Sequence, residues 1–199
     1  MTDPDIIDTL ANISPGSRLA MIRDRKPVTR QQAQASYQAL FEPAEIGDVT
    51  LQERFAVATF VSGLHAEDEI AAFYADGLAR TNPPEVLVAA LSAQPASGRT
   101  SGPYGAYPSG RLSVEDVAGP IFRVAEPHRG VLGARLTAAL EHAHMLVFHP
   151  RDANPAALQE LLDAGWSNAG IVTLSQLVAF LAFQIRAAAG LRTLAAAGT

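Results

Sequence analysis

The sequence predicts an all-α fold, a helical bundle, from three observations. Alanine is abundant and β-branched residues are sparse in the periodic stretches, a composition that suits helices. No period-two apolar run bounded by hairpin turns occurs in the 199 residues. Helix-start and helix-stop residues recur at helical spacing along most of the chain. With 48% hydrophobic and 18% charged residues the chain is globular, and it is long enough to bury a substantial core. It divides on the page into an N-terminal helical arm, residues 1–41, and a main helical domain, residues 42–199.

The elements follow in order, about eight helices in all. A helix over residues 6–13 meets the break Ser14-Pro15-Gly16. A short helix over 18–25 stops before Pro27. Thr29 is the expected N-cap of a helix running to Phe41, with Tyr37 and Leu40 on its inner face, and Glu42-Pro43 ends it. Thr50 and Glu53 make a capping box for the apolar helix that follows, which runs to about Ser62. Gly63 permits a turn, and a second helix over 66–80 carries Ile70, Phe73 and Leu78 on one side. These two form an antiparallel pair. Asn82-Pro83-Pro84 closes the pair and opens a helix over 85–92.

Residues 94–112 read as a long loop rich in Pro, Gly and Ser, with Tyr104 and Tyr107 in it. Ser113 and Asp116 mark a short helical turn that Gly119-Pro120 ends. A helix over 131–148 is terminated by His149-Pro150. A short amphipathic helix over 155–163 has Gly165 as its stop signal. Ser167 or Asn168 then caps a long apolar helix ending near Gly190, expected at the centre of the bundle or at an interface.

Composition excludes several functions. The net charge of −5 lacks the basic footprint of a nucleic-acid protein and offers nothing to anionic lipid. The N-terminus, Met1-Thr2-Asp3-Pro4-Asp5, has neither the basic nor the apolar region of a signal peptide. The apolar stretch 171–191 is interrupted by Thr173, Ser175, Gln176, Gln184 and Arg186 and reads as a buried helix, not a membrane span. A soluble, cytoplasmic protein is expected. The chain has no cysteine, which excludes disulfides, thiolate catalysis and thiolate metal sites together.

A run of motifs carries a family resemblance. Ala164-Gly165-Trp166-Ser167, then Ile171, Arg186 and Gly190-Leu191, follow the C-terminal pattern of the peroxidase-related branch of the carboxymuconolactone decarboxylase and alkylhydroperoxidase D superfamily. Residues 140–192 resemble that half, residues 42–78 resemble the preceding helix pair, and together they cover more than half the chain. The linker Gly102-Pro103-Tyr104-Gly105-Ala106-Tyr107-Pro108 and the N-terminal arm resemble an uncharacterised cysteine-poor subgroup. The resemblance implies an alkylhydroperoxidase D-like bundle and a homo-oligomer.

It also implies what the chain lacks. Redox members carry Glu, eleven residues, Cys, two residues, Cys, three residues, His, so that a thiolate sits at a helix start with proton relays beside it. On this sequence Glu53 matches the Glu, while His65, Asp68 and Ala72 stand at the other three positions. Thiol peroxidase chemistry is excluded. The decarboxylases use Glu-Leu-x-x-His on the second helix, and here Glu69-Ile70-Ala71-Ala72-Phe73 puts Phe73 in place of the His.

The candidate residues have two readings each. Glu53 is a proton relay or simply the N3 partner of Thr50. His65 and Asp68, at i and i+3, make a base with its orienting carboxylate, or a cap and a dipole partner. His142, His144 and His149 offer metal ligands with His65 or Glu53, but no His-x3-His pair supports that, so no metal site is assigned. Tyr104 and Tyr107 line a pocket mouth or reach a neighbouring subunit. Arg186 is expected to pair with a buried carboxylate, Glu53 or Glu141. Trp166 is expected to plug the junction of the last two helices.

The functional expectation is a cofactor-free general acid–base enzyme on a small organic acid or lactone, with Glu53, His65 and Asp68 catalytic. The alternative is a non-catalytic binding or assembly module on the same scaffold. Convergence of those three residues on a cavity is the discriminating observation.

Overall fold

The computed structural model describes residues 5–102 and 104–197. The chain is all-α, with no strand among the described residues. Pro103 of the linker and the terminal residues 1–4 lie outside them.

Three helices form the N-terminal region: α1 (Ile6–Leu10), α2 (Arg18–Asp24) and α3 (Pro27–Phe41). Asp5 caps α1 through the amides of Ile7 and Asp8. Arg23 and Arg30 tie Asp5 and Asp8 to the two following helices. α3 starts at Pro27 and not after Thr29, because proline is well tolerated where the first amides have no intrahelical acceptor. Ile6, Ile7, Leu10, Tyr37, Leu40 and Phe41 join the same core as the rest of the chain.

α4 (Leu51–Leu64) begins with the expected Thr50–Glu53 capping box. α5 (Asp68–Ala79) returns beside it. The pair is antiparallel: Gly77 near the end of α5 faces Phe55 near the start of α4, and a Cβ on Gly77 would fall 2.2 Å from the Phe55 ring. α5 starts at Asp68, two residues later than the periodicity suggests, because Ala66 adopts a left-handed backbone with φ of 56°. Arg54 is buried with no carboxylate partner among the described residues. Its guanidinium instead donates to the carbonyls of Ala39, Leu40, Ile46 and Val49, pinning the connection between α3 and α4.

α6 (Glu85–Ser92) is followed at once by α7 (Gln94–Gly98), where a loop was expected. Pro95 sits in its first turn and is compatible with a helix start. The irregular strap that follows contains one 3-10 turn, Arg111–Glu115. α8 (Glu126–Phe148) bends at Gly133, whose φ of 76° only glycine adopts freely. A 3-10 turn, Pro150–Asp152, leads to α9 (Pro155–Asp163).

α10 (Asn168–Ala196) is capped by Ser167 and packs on α1, α3, α4, α8 and α9. Leu174, Leu177 and Leu181 are fully buried in it, in the same core as Phe60, Val61 and Leu140. It runs past Gly190, where it was expected to end. One glycine costs a helix only about 1 kcal/mol, and Arg192 anchors the extra turns to Glu67 and the Leu10 carbonyl. By length and composition α10 could cross a membrane, yet half of its most apolar window is buried inside the bundle. Trp166 is buried before α10, its indole N–H donating to the Arg135 carbonyl at 2.9 Å and its ring lying under the Arg135 guanidinium.

Candidate functional site

The residues singled out at α4 and α5 are not brought together. Glu53 stands at the start of α4 and His65 caps its end, twelve positions on, or about 18 Å at ~1.5 Å per residue. Glu53 takes part in the capping box and also accepts from Arg135 Nε at 2.5 Å. Asp68 is 90% exposed and among the described residues reaches only Arg99, at 3.5 Å. His65 Nε2 is buried without a hydrogen-bond partner, and burial, with the nearby Arg186 charge, lowers its pKa.

Arg186 does not meet the carboxylate expected for it. It is exposed and donates to the Ala182 carbonyl one turn back on its own helix. Its two candidate partners are taken: Glu53 by Arg135, and Glu141 by Arg123 at 2.7 Å and Arg129 at 2.5 Å.

The cavity lies elsewhere. About 610 Å³ opens between α8, α9 and the strap. Val117, Ile121, Phe122, Met145 and Leu161 supply apolar wall, and His142, His144 and His149 all face it. Tyr104 and Tyr107 brace the strap. Arg151 donates to the Tyr104 carbonyl at 2.9 Å and stacks 3.7 Å over the Tyr107 ring. The Tyr107 amide donates to Asp116 at 2.7 Å, and the Gly105 amide to the Val117 carbonyl at 2.7 Å.

The local sequence builds a histidine–aspartate pair on this cavity. α8 stops at Phe148 because Pro150 cannot continue it. The 3-10 turn then folds Asp152 back under His149, with the Asp152 amide donating to the His149 carbonyl at 3.0 Å. His149 Nδ1 lies 3.0 Å from Asp152 Oδ2. The other carboxylate oxygen, Oδ1, accepts from the Ala106 amide at 3.0 Å, so Asp152 is held from both sides. Since a carboxylate accepts, His149 Nδ1 carries the hydrogen, so in the neutral ring Nε2 is the lone pair; Nε2 is buried and without a partner.

His144 repeats the arrangement with a different anchor. Its Nε2 lies 2.9 Å from the Gly98 carbonyl, so Nε2 carries the hydrogen and Nδ1 is bare, buried and unpartnered. The two rings are 6.1 Å apart between centroids. Burial pushes the His144 pKa down, a shift the Gly98 bond partly opposes and the neighbouring His149 adds to. Burial lowers His142 as well. Arg123, the guanidinium in the lining, is held by Glu160 and Glu141, and these bonds raise its pKa. Among the described residues no group of three or more His, Asp or Glu is arranged to hold a metal ion.

The sequence carried a signal for this site. Leu64-His65-Ala66-Glu67-Asp68 and Phe148-His149-Pro150-Arg151-Asp152 both place His-x-x-Asp at the end of a long apolar helix. At the first, the left-handed Ala66 swings Asp68 outward to begin α5. At the second, Pro150 forces a tight right-handed turn that closes the pair.

Compared with known proteins, the chain matches no family model, no curated protein and no solved structure.

Proposed function

We propose that this chain is a general acid–base enzyme acting on a small uncharged carbonyl compound, with a lactone as the expected substrate. The observation that carries the reading is the His149–Asp152 hydrogen bond beside a 610 Å³ cavity that both residues line, with His149 Nε2 unpartnered beneath the strap. A free organic acid fits less well, because Arg123 is already committed to Glu141 and Glu160. In lactone hydrolysis, a shift of the strap off the ring opens the buried His149 Nε2 to the cavity, where it takes a proton from water as the water oxygen bonds to the carbonyl carbon. Asp152 stabilises the imidazolium. The proton then passes to the ring oxygen as the C–O bond breaks, leaving a hydroxy acid.

The motifs at residues 164–167 and 186–191, together with the all-α bundle, support kinship with the carboxymuconolactone decarboxylase and alkylhydroperoxidase D superfamily, in a branch without thiols. The exposed Val172 and Phe183 on α10 support self-association, in keeping with that kinship. A cytoplasmic location remains part of the proposal.

One observation favours a second reading, a binding module. Arg123 being occupied, the lining offers no uncommitted guanidinium or ammonium among the described residues to stabilise an oxyanion. A panel of lactones assayed by acid release separates the two. Turnover that falls by about 10²-fold or more in His149→Ala, and is retained in His65→Gln, supports the enzyme. Saturable binding of a lactone without turnover supports the module.

A further inference from the structure

We infer that His142 is the specificity-determining residue of the cavity, hydrogen-bonding a neutral hydroxyl or amide at the end of a ligand's tail. The inference rests on the acid–base reading for the lactone ring and names which lactones the cavity takes. His142, Met145 and His149 stand at i, i+3 and i+7 along α8 and its C-cap, and all three line the cavity. His142 and His149 are therefore about 10 Å apart along the helix, at ~1.5 Å per residue. The cavity has two polar ends. At one, His149 meets Asp152 at 3.0 Å. At the other, Arg123 joins Glu141 at 2.7 Å to Glu160 at 3.1 Å, bridging α8 and α9. His142 belongs to this second end, next to Glu141 in the chain and within reach of the Glu160 charge. Met145 and Leu161 supply apolar wall. A volume of about 610 Å³ lies inside the range of ~300–1,000 Å³ that holds ligands of drug size, so a bare lactone ring leaves much of it unfilled.

His142 is the histidine of the cavity whose ring is free to bind. The residue is only 6% exposed, yet neither ring nitrogen has a hydrogen-bond partner among the described residues. Unlike His144 Nδ1 and His149 Nε2, its nitrogens are not sealed from solvent. Polar groups this deep in a native protein are nearly always paired with protein or water. For His142 the partner comes from the cavity.

The chemistry of that partner follows from the surroundings. Burial lowers the His142 pKa and the Glu160 charge opposes the shift, so near neutral pH the ring carries one N–H and one lone pair. A group that both accepts and donates, a hydroxyl or an amide, uses either nitrogen. A carboxylate-ended tail is repelled, because Glu141 and Glu160 stand at this end and Arg123 is already bonded to both. An ammonium-ended tail gains little from carboxylates that are already paired. The favoured ligand is a lactone with an apolar tail and a neutral polar end.

The test is binding of lactams, which keep the ring and carbonyl of a lactone but resist hydrolysis, to the full chain. Calorimetry compares straight tails of graded length ending in methyl, hydroxyl, carboxylate or ammonium. The hydroxyl-ended lactam is expected to bind about 3- to 10-fold more tightly than its methyl-ended counterpart, the worth of one net hydrogen bond. The preference should peak where the tail spans about 10 Å. It should vanish in His142→Leu and survive in part in His142→Gln, which keeps a donor and an acceptor. In proton NMR, the His142 ring signal, assigned by its absence from either variant, should move with the hydroxyl-ended lactam and stay with the methyl-ended one. No lactam binding at millimolar concentration, equal affinity for the two tails, a preference that survives His142→Leu, tighter binding of a charged tail, or an unmoved ring signal overturns the inference. Tail-selective lactam binding without turnover of the matching lactone removes the acid–base reading and leaves this one. Turnover without tail selectivity does the reverse.

Discussion

Gly119 lies against the imidazole of His149. A Cβ built on this glycine would fall 2.6 Å from His149 Cγ and 2.7 Å from Cδ2. The strap therefore sets the ring's position from behind while Asp152 sets its tautomer from the side. Gly119→Ala is expected to shift the ring off its productive position. Lactone turnover should fall by about 10²-fold, the cost of a displacement on the order of 1 Å at a reacting group. Thermal unfolding, which reports the bundle, should change little, since Gly119 lies in the strap. Unchanged turnover would show that the strap does not position His149.

Asp152→Asn tests the tautomer directly. An amide can turn either its oxygen or its NH₂ toward His149, so the neutral ring loses its enforced hydrogen on Nδ1. Turnover is expected to drop by about 10²–10⁴-fold. Nitrogen-15 shifts of the His149 ring should move from one dominant tautomer to a mixture. A ring still protonated on Nδ1 alone would show that Asp152 is not what holds it.

Arg54 is expected to be a stability determinant of the first half. Its guanidinium satisfies four main-chain carbonyls at 2.6–3.2 Å. Arg54→Leu leaves those acceptors to water or to nothing. The expected cost is about 3 kcal/mol or more, read as a lower urea midpoint without a change in slope. A cost under about 0.5 kcal/mol, the range of an ordinary surface change, would show that the loop holds itself.

Acid should unfold the protein from a higher pH than its carboxylates alone predict. Burial holds the pKa values of His65, His142 and His144 below the ordinary 6.5. The unfolded chain takes up protons on these rings as pH falls through that value, while the folded chain does not. Stability is thus complete above the unfolded value and is lost as pH falls toward the lowered folded values, by at most about 1.4 kcal/mol per pH unit for each ring. Urea midpoints measured from pH 8 to pH 5 should decline across that window, and His142→Gln should flatten the decline. A midpoint constant down to pH 5 contradicts it.

Helices were legible because their signals are local. The Thr50–Glu53 box and Ser167 before α10 are satisfied within a few residues, so adjacent letters suffice. Ion-pair partners were not legible. Glu53 went to Arg135 and Glu141 to Arg123 and Arg129, choices made by how helices distant in sequence cross. Arg186, expected inside, follows the exposed side of α10. The His-x-x-Asp pair expected at His65 and Asp68 does not close there, while the copy at His149 and Asp152 does. The sign of one dihedral at Ala66, against a proline at 150, decides which of the two copies closes.

The number of helices that share α10 as a partner has a consequence for how the chain is made. α10 follows in sequence every helix it packs against, from α1 to α9. As the chain emerges from the ribosome, the apolar faces of α1, α3, α4 and α8 stand ready while their shared partner is still being synthesised. Until α10 arrives, the nascent protein presents an open greasy groove to its surroundings. The step that closes the core is also the last to become available, and translation pauses or chaperone capture before that point should govern the yield of folded protein more than its final stability does.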